Sequence, residues 1–196
     1  MWVEPITLVG KRVRLEPLTT EHESGLHALY ALNPDILLYH GLKPADTSAE
    51  AFRTYMERTL SMPGRIPFAI VIKDTDAVAG TTSYLDIKPA DRGLEIGYTW
   101  LGKAYQGSYV NPENKYMLLR HAFETLDAIR VQLKTDGRNI QSQRAMSKMG
   151  AKLEGTLRKH VVLPDGYLRD SVMFSITDDE WPGVKSALEA RLGYTP

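Results

Sequence analysis

One stretch narrows the possible folds more than any other: Leu94 to Arg120. It opens with an alternating run, Leu94-Glu95-Ile96-Gly97-Tyr98-Thr99-Trp100-Leu101, then passes through a loop holding Gly102 and Gln106-Gly107-Ser108. A helix-forming segment follows, from Pro112 to about Asp127. Period-2 geometry puts Leu94, Ile96, Tyr98 and Trp100 on one face of the strand and Glu95, Gly97 and Thr99 on the other. Asn111 is a favoured N-cap, and Pro112 suits a first helical position. A helix that begins just beyond a strand end turns its free N–H groups and positive dipole into a crevice, which is a generic anion site. No Gly-Lys-Ser/Thr follows and no Gly-x-Gly-x-x-Gly is present, so this is neither a Walker loop nor a dinucleotide fingerprint.

Around this unit the chain reads as alternating strands and helices. Arg12-Val13-Arg14-Leu15 is a short first strand, residues 19–31 a helix, and Ser48 opens a second helix through about Leu60. Phe68 to Ile72 is a buried-type strand, and Val78 to Ile87 is its hairpin partner. Beyond the central unit come a strand at Ile129–Thr135, a short helix ending before Gly150, and two segments, 153–163 and 167–176, flanking the turn signal Pro164-Asp165-Gly166. Asp178-Asp179-Glu180 opens a last helix. We see no repeat and no linker, so residues 1–196 are expected to form one domain. The fold class is α+β: a single mixed, mostly antiparallel sheet with a parallel strand pair at its centre and helices on both faces.

Composition excludes several chemistries. There is no cysteine, hence no disulfide framework, thiol nucleophile or cysteine-based metal site. His22 and His27 are five residues apart, which sets the rings about 140° apart on a helix, so no metal is expected. Net charge is zero, which argues against a nucleic-acid coat. The zero is a cancellation: eight basic and two acidic residues lie between Arg130 and His160, against two basic and seven acidic between Glu16 and Glu57. The basic segment, with Arg138, Arg144 and Lys148, suits phosphates, and the acidic one would suit a cationic amine. The start, Met1-Trp2-Val3-Glu4-Pro5, lacks a basic then apolar pattern, and the apolar run Phe68–Ile72 is far too short to span a bilayer. A cytoplasmic protein without membrane contact is the expectation.

Ile96 to Leu101, then Tyr105-Gln106-Gly107-Ser108, then Lys115-Tyr116-Met117-Leu118-Leu119-Arg120-His121-Ala122-Phe123 resemble the acetyl-CoA motif of the GNAT-superfamily N-acetyltransferases. Arg130 to Asp136, Asn139, Ser142, Arg144-Ala145 and Met149-Gly150-Ala151 resemble the superfamily's next motif in order and spacing. The branch most like this chain is that of ribosomal-protein N-terminal acetyltransferases. The resemblance implies that the central parallel pair splays and that the pantetheine arm lies in the gap, near Trp100 and Leu101. It places the pyrophosphate over Gln106, Gly107, Ser108, Tyr109, Val110 and Asn111, with Asn139, Ser142 and Arg144 as further cofactor contacts. The family's loop has small or polar residues where this chain has Ala104 and Tyr109, and a tyrosine there would narrow the cradle.

Acetyl transfer to an amine needs a proton acceptor for the amine, stabilisation of the carbonyl oxygen, and a donor for the leaving thiolate. Glu95 is the candidate acceptor, since a strand glutamate near this position often has that role in the superfamily. Otherwise it is a solvated carboxylate or a partner of Lys88 or Arg92. Ser142 is the candidate near the sulfur; otherwise it satisfies backbone donors at a helix start. Asn139 caps the helix, contacts pantetheine, or does both. Tyr105, Tyr109 and Tyr167 are alternative donors that the sequence does not rank. The expected partners are acetyl-CoA and an amine acceptor, either a protein N-terminus or a small molecule, without nucleic acid. The 153–176 hairpin and final helix offer a surface for a homodimer. A non-catalytic acyl-CoA-binding domain is the alternative reading.

Overall fold

The computed structural model describes residues 2–163 and 165–194. Its elements, in chain order, are β1 (Leu8–Val9), β2 (Val13–Pro17), α1 (Glu23–Leu32), α2 (Ala49–Ser61), β3 (Ile66–Ile72), β4 (Val78–Lys88) and β5 (Gly93–Leu101). There follow α3 (Val110–Glu124), β6 (Arg130–Asp136), α4 (Ile140–Met149), β7 (Lys152–Val162), β8 (Leu168–Thr177) and α5 (Trp181–Leu192). One eight-stranded sheet runs in the order β1-β2-β3-β4-β5-β6-β8-β7. Every neighbouring pair is antiparallel except β5 and β6.

That exception shapes the molecule. The parallel pair is bonded only at Gly93–Arg130, Leu94–Val131 and Glu95–Gln132, and beyond Glu95 the two strands separate. On its other edge β5 stays paired with β4 as far as Leu101 opposite Gly80. The approach there is close: a Cβ at Gly80 would sit 2.0 Å from the Trp100 carbonyl oxygen.

The sheet has a core on each face. Residues of α3, α4 and α5, among them Leu118, Leu119, Met149 and Leu188, pack on one side with Leu94, Ile96 and Leu101. Phe52, Tyr55 and Met56 of α2 and Leu26 of α1 pack on the other with Trp100. Strict alternation along β5 is therefore broken. Tyr98 adopts a left-handed conformation (φ +48°) where the register with β4 shifts, and the strand gains a residue there. Trp100 joins the core opposite to Leu94 and Ile96, while Thr99 turns toward α3, contrary to the period-2 expectation.

Local signals account for most boundaries. The Ser48 hydroxyl accepts from Ala51 N (3.2 Å) at the start of α2, and Gly150 ends α4 in the left-handed region. Of the anticipated 164–166 turn, Pro164 lies outside the described residues; Gly166 has φ +82°. The β1–β2 hairpin was not anticipated. It is closed by Gly10 N to Val13 O (2.8 Å) and held by buried Glu113 of α3, whose Oε1 accepts from Arg12 N (2.7 Å) and Val13 N (3.2 Å).

Candidate active site

Where β5 and β6 part, a cavity of about 600 Å³ opens between them. Glu95 lines it at the fork and is 2% exposed. Its Oε2 accepts from Lys134 Nζ (2.8 Å) and Gln132 Nε2 (2.9 Å), both on β6. The expected partners Lys88 and Arg92 are engaged elsewhere: Lys88 pairs with Asp86 and Arg92 donates to the Asp127 carbonyl. Glu95 Oε1 stands over Gly97, where any Cβ would lie 2.8 Å from it.

The loop and helix start form the next wall. Gly107 turns through the left-handed region (φ +71°), and Ser108 Oγ accepts from Val110 N (3.2 Å) while donating to the Tyr105 carbonyl (2.6 Å). With the serine supplying the acceptor, α3 begins two residues earlier than expected. Asn111 is therefore inside its first turn and not its cap, and Pro112 is third. Proline costs nothing there, because the first intrahelical donor is Glu113 N, bonded to Tyr109 O at 3.0 Å. Of the helical residues before it, Pro112 has no N–H and that of Val110 is taken by Ser108, so the N–H of Asn111 is the one this turn leaves for an anion. Asn111 Oδ1 is buried without a hydrogen-bond partner. Gln106 Nε2 ties the loop back to the Leu101 carbonyl at 3.1 Å.

Tyr109 does not narrow this wall. Its ring lies under the Arg12 guanidinium, 3.9 Å from Cζ to centroid, and is absent from the lining. Gln106, Gly107, Ser108 and Asn111 line the cavity, as do Trp100 and Leu101; Val110 is buried in the core beside them.

From the β6 side, Asn139 caps α4 through Oδ1, which accepts from Ser142 N (3.0 Å). Asn139, Ser142, Arg144 and Lys148 all line the cavity. Arg138 does not, because Asp136 holds it at 3.0 Å (Nε–Oδ1) and 2.8 Å and its guanidinium lies 3.5 Å from the Tyr167 ring centre. Burial pushes the Asp136 carboxyl up, but the bonds from Arg138 outweigh it and the net shift is downward. The three tyrosines considered as donors all miss the cavity, which instead receives Tyr39 and Tyr98. The acidic residues of 16–57 also lie elsewhere: Glu16 pairs with Arg14 and His22, and Glu23 with Arg53.

Sequence reasoning missed Lys115, His40, Lys134 and Arg169, all of which line the cavity. Lys115 is 7% exposed on α3, and its Nζ donates to Thr99 Oγ1 at 2.7 Å. Burial pulls its ammonium down to about 7, against the attraction of Glu95. A signal was available for Lys115 alone, as the one basic residue early in an otherwise apolar helix face.

Among the described residues no helix is long and apolar enough to cross a membrane, and no cluster of three or more His, Asp or Glu could hold a metal ion.

The site is thus a sheet forked at one parallel pair, with a buried carboxylate at the fork and a helix N-terminus on the wall of the same cavity. The chain belongs to the GNAT acetyltransferase family, whose acetyltransferase (GNAT) domain model matches residues 12–152. It is 28% identical over 179 residues to the uncharacterized N-acetyltransferase p20 of Bacillus licheniformis, covering 90% of this chain and 99% of that one. The ribosomal-protein-serine acetyltransferase of Escherichia coli (strain K12) is 30% identical over 92 residues, 47% of this chain and 51% of that one. A solved acetyltransferase structure from T. thermophilus superposes with a TM-score of 0.92 at 45% identity, covering 98% of this chain and 100% of that one.

Proposed function

We propose that the protein transfers the acetyl group of acetyl-CoA to a primary amine by direct attack in a ternary complex. The observation that carries this reading is Glu95, a buried carboxylate at the fork with one oxygen free over Gly97. In the proposed reaction the pantetheine arm occupies the gap between β5 and β6. The pyrophosphate lies against Gln106, Gly107, Ser108 and Asn111 with Arg144 alongside, and Asn139 keeps its amide donors for the arm. Glu95 accepts the proton of the incoming ammonium, directly or through one water. The neutral nitrogen attacks the thioester carbon, the tetrahedral adduct loses its second N–H proton to solvent, and the oxyanion collapses as the C–S bond breaks. Ser142 donates a hydrogen bond to the departing sulfur, and the proton reaches the thiolate from solvent.

No covalent enzyme intermediate is needed, in keeping with a chain without cysteine. The site residues lie within one domain spanning the chain. The test is free-thiol release from acetyl-CoA across a panel of amines, beside calorimetric titration with acetyl-CoA. Amine-dependent release with one N-acetylated product per thiol is the expected result. Binding without release by any amine would leave a non-catalytic acyl-CoA-binding domain.

A further inference from the structure

Beside Tyr98 and His40 the cavity meets two guanidinium groups that form no ion pair among the described residues, Arg169 in its lining and Arg65 behind the Tyr98 ring; we take this as the acceptor end. Arg65, just before β3, is 7% exposed, and its Nε donates to Ser83 Oγ at 2.8 Å. Both of its terminal nitrogens are buried without a hydrogen-bond partner. The guanidinium lies over the Tyr98 ring, 4.2 Å from Cζ to centroid, and Tyr98 lines the cavity. A second guanidinium, that of Arg169 on β8, is 9% exposed and lines the cavity directly. It donates only to Ser171 Oγ, at 3.1 and 3.0 Å. Among the described residues neither arginine has a carboxylate within ion-pair distance; nearby Asp136 is committed to Arg138. His40 feels both of them, and its ring lies 6.3 Å from that of Tyr98. Burial, with repulsion from Arg65 and Arg169, lowers this imidazole to about 4, so it stays neutral and adds no positive charge.

A buried charge without a counter-charge is costly, and a cation–π contact offsets only part of that cost. One such charge in the lining, with a second behind a lining ring, is explained if the substrate brings the anion. Resting on the acetyl-transfer reading, we propose that the acceptor is a small amine carrying a carboxylate or phosphate, its anionic group held by Arg169 and its amine facing Glu95. Arg65 adds attraction from behind the Tyr98 ring. Guanidinium suits either anion, since its fork matches both in a bidentate pair. This replaces the expectation that acidic residues select a cationic amine, because Glu95 and Asp136 are the acids that line the cavity.

The experiment pairs acceptors that differ only in the anion, with thiol release from acetyl-CoA as the readout. Amino acids are set against their carboxamides, and phosphoethanolamine against ethanolamine; a neutral peptide amide with a free N-terminus is a third arm. We expect kcat/KM at least about tenfold higher for the anionic member of one pair, equivalent to a single charge-assisted bond. Which pair responds separates carboxylate from phosphate. In Arg169→Gln the ratio should collapse toward one. Equal use of paired acceptors, or the peptide amide as best acceptor, overturns the proposal and leaves acetyl transfer standing. A parallel calorimetric arm compares N-acetylglycine with N-acetylglycinamide, and inorganic phosphate with buffer, on the CoA-loaded wild-type chain. That arm decides the anion site even if no amine releases thiol or Arg169→Gln fails to fold: preferential anion binding supports it, and its absence refutes it.

Discussion

The Glu95 carboxylate and the Lys134 ammonium meet at 2.8 Å, one on each strand of the parallel pair, where the strands cease to be hydrogen-bonded. The ion pair closes the narrow end of the fork and fixes Oε2, so that Oε1 alone faces the open cavity.

Glu95→Gln keeps the shape and the contact with Gln132 but removes the proton acceptor. Turnover should fall by about two orders of magnitude or more, the usual range for a lost general base. Initial rates at saturating acetyl-CoA, with circular dichroism to confirm the fold, check this. A change within about threefold, far below that range, would remove Glu95 from the chemistry.

Gly97→Ala tests the same carboxylate through its neighbour. The added methyl would lie 2.8 Å from Glu95 Oε1 and 3.0 Å from a Leu85 methyl, so one of them must move. We expect a fall in kcat that exceeds any rise in KM for acetyl-CoA. Equal effects on both constants would mean that the methyl merely obstructs binding.

Lys115→Met should change the pH dependence of stability. The native ammonium titrates at about 7 and the unfolded one at its ordinary 10.5. Between these values the unfolded chain binds a proton that the native chain does not, so stability rises with pH across that window. Below about 7 both states are charged and the burial cost is complete. The variant should be more stable than the parent by a few kcal/mol below about pH 7, with the gap closing toward about pH 10. Denaturant melts at about pH 6 and about pH 9.5, on either side of the native titration, measure it; a constant gap would show that Lys115 is charged throughout.

Asn139→Ala removes the cap of α4 and should cost about 1 kcal/mol. If the side chain also contacts the pantetheine, KM for acetyl-CoA rises several-fold as well, whereas Asn139→Asp retains the cap and isolates the cofactor term. Thermal melts and acetyl-CoA titration of the two variants separate these roles.

The sequence was most legible where a signal is local. Ser48 and Asn139 cap the helices that follow them, and the Val78–Lys88 strand lies within a residue of its expected span. The parallel pair followed from a strand–helix–strand order, which leaves few topologies open. What escaped was decided by distant packing. Nothing in the local pattern says that Ser108 would displace Asn111 as the acceptor at the start of α3, since that depends on the turn at Gly107. Tyr109 was expected in the cradle, but Arg12, far off in sequence, holds its ring on the other side. The arginines of the acceptor end stand 104 positions apart in the chain, so no window could join them.

The left-handed step at Tyr98 makes β5 two half-strands of opposite phase. Leu94 and Ile96 answer to the α3 core, whereas Trp100 answers to the α1–α2 core. Removing any one residue from 97–99 would exchange these allegiances, carrying Trp100 into the α3 layer and Leu101 out of it. For this segment the number of residues decides which core each side chain joins. A deletion of one residue here would therefore turn the outer half of the strand inside out without altering the chemistry of any side chain in it.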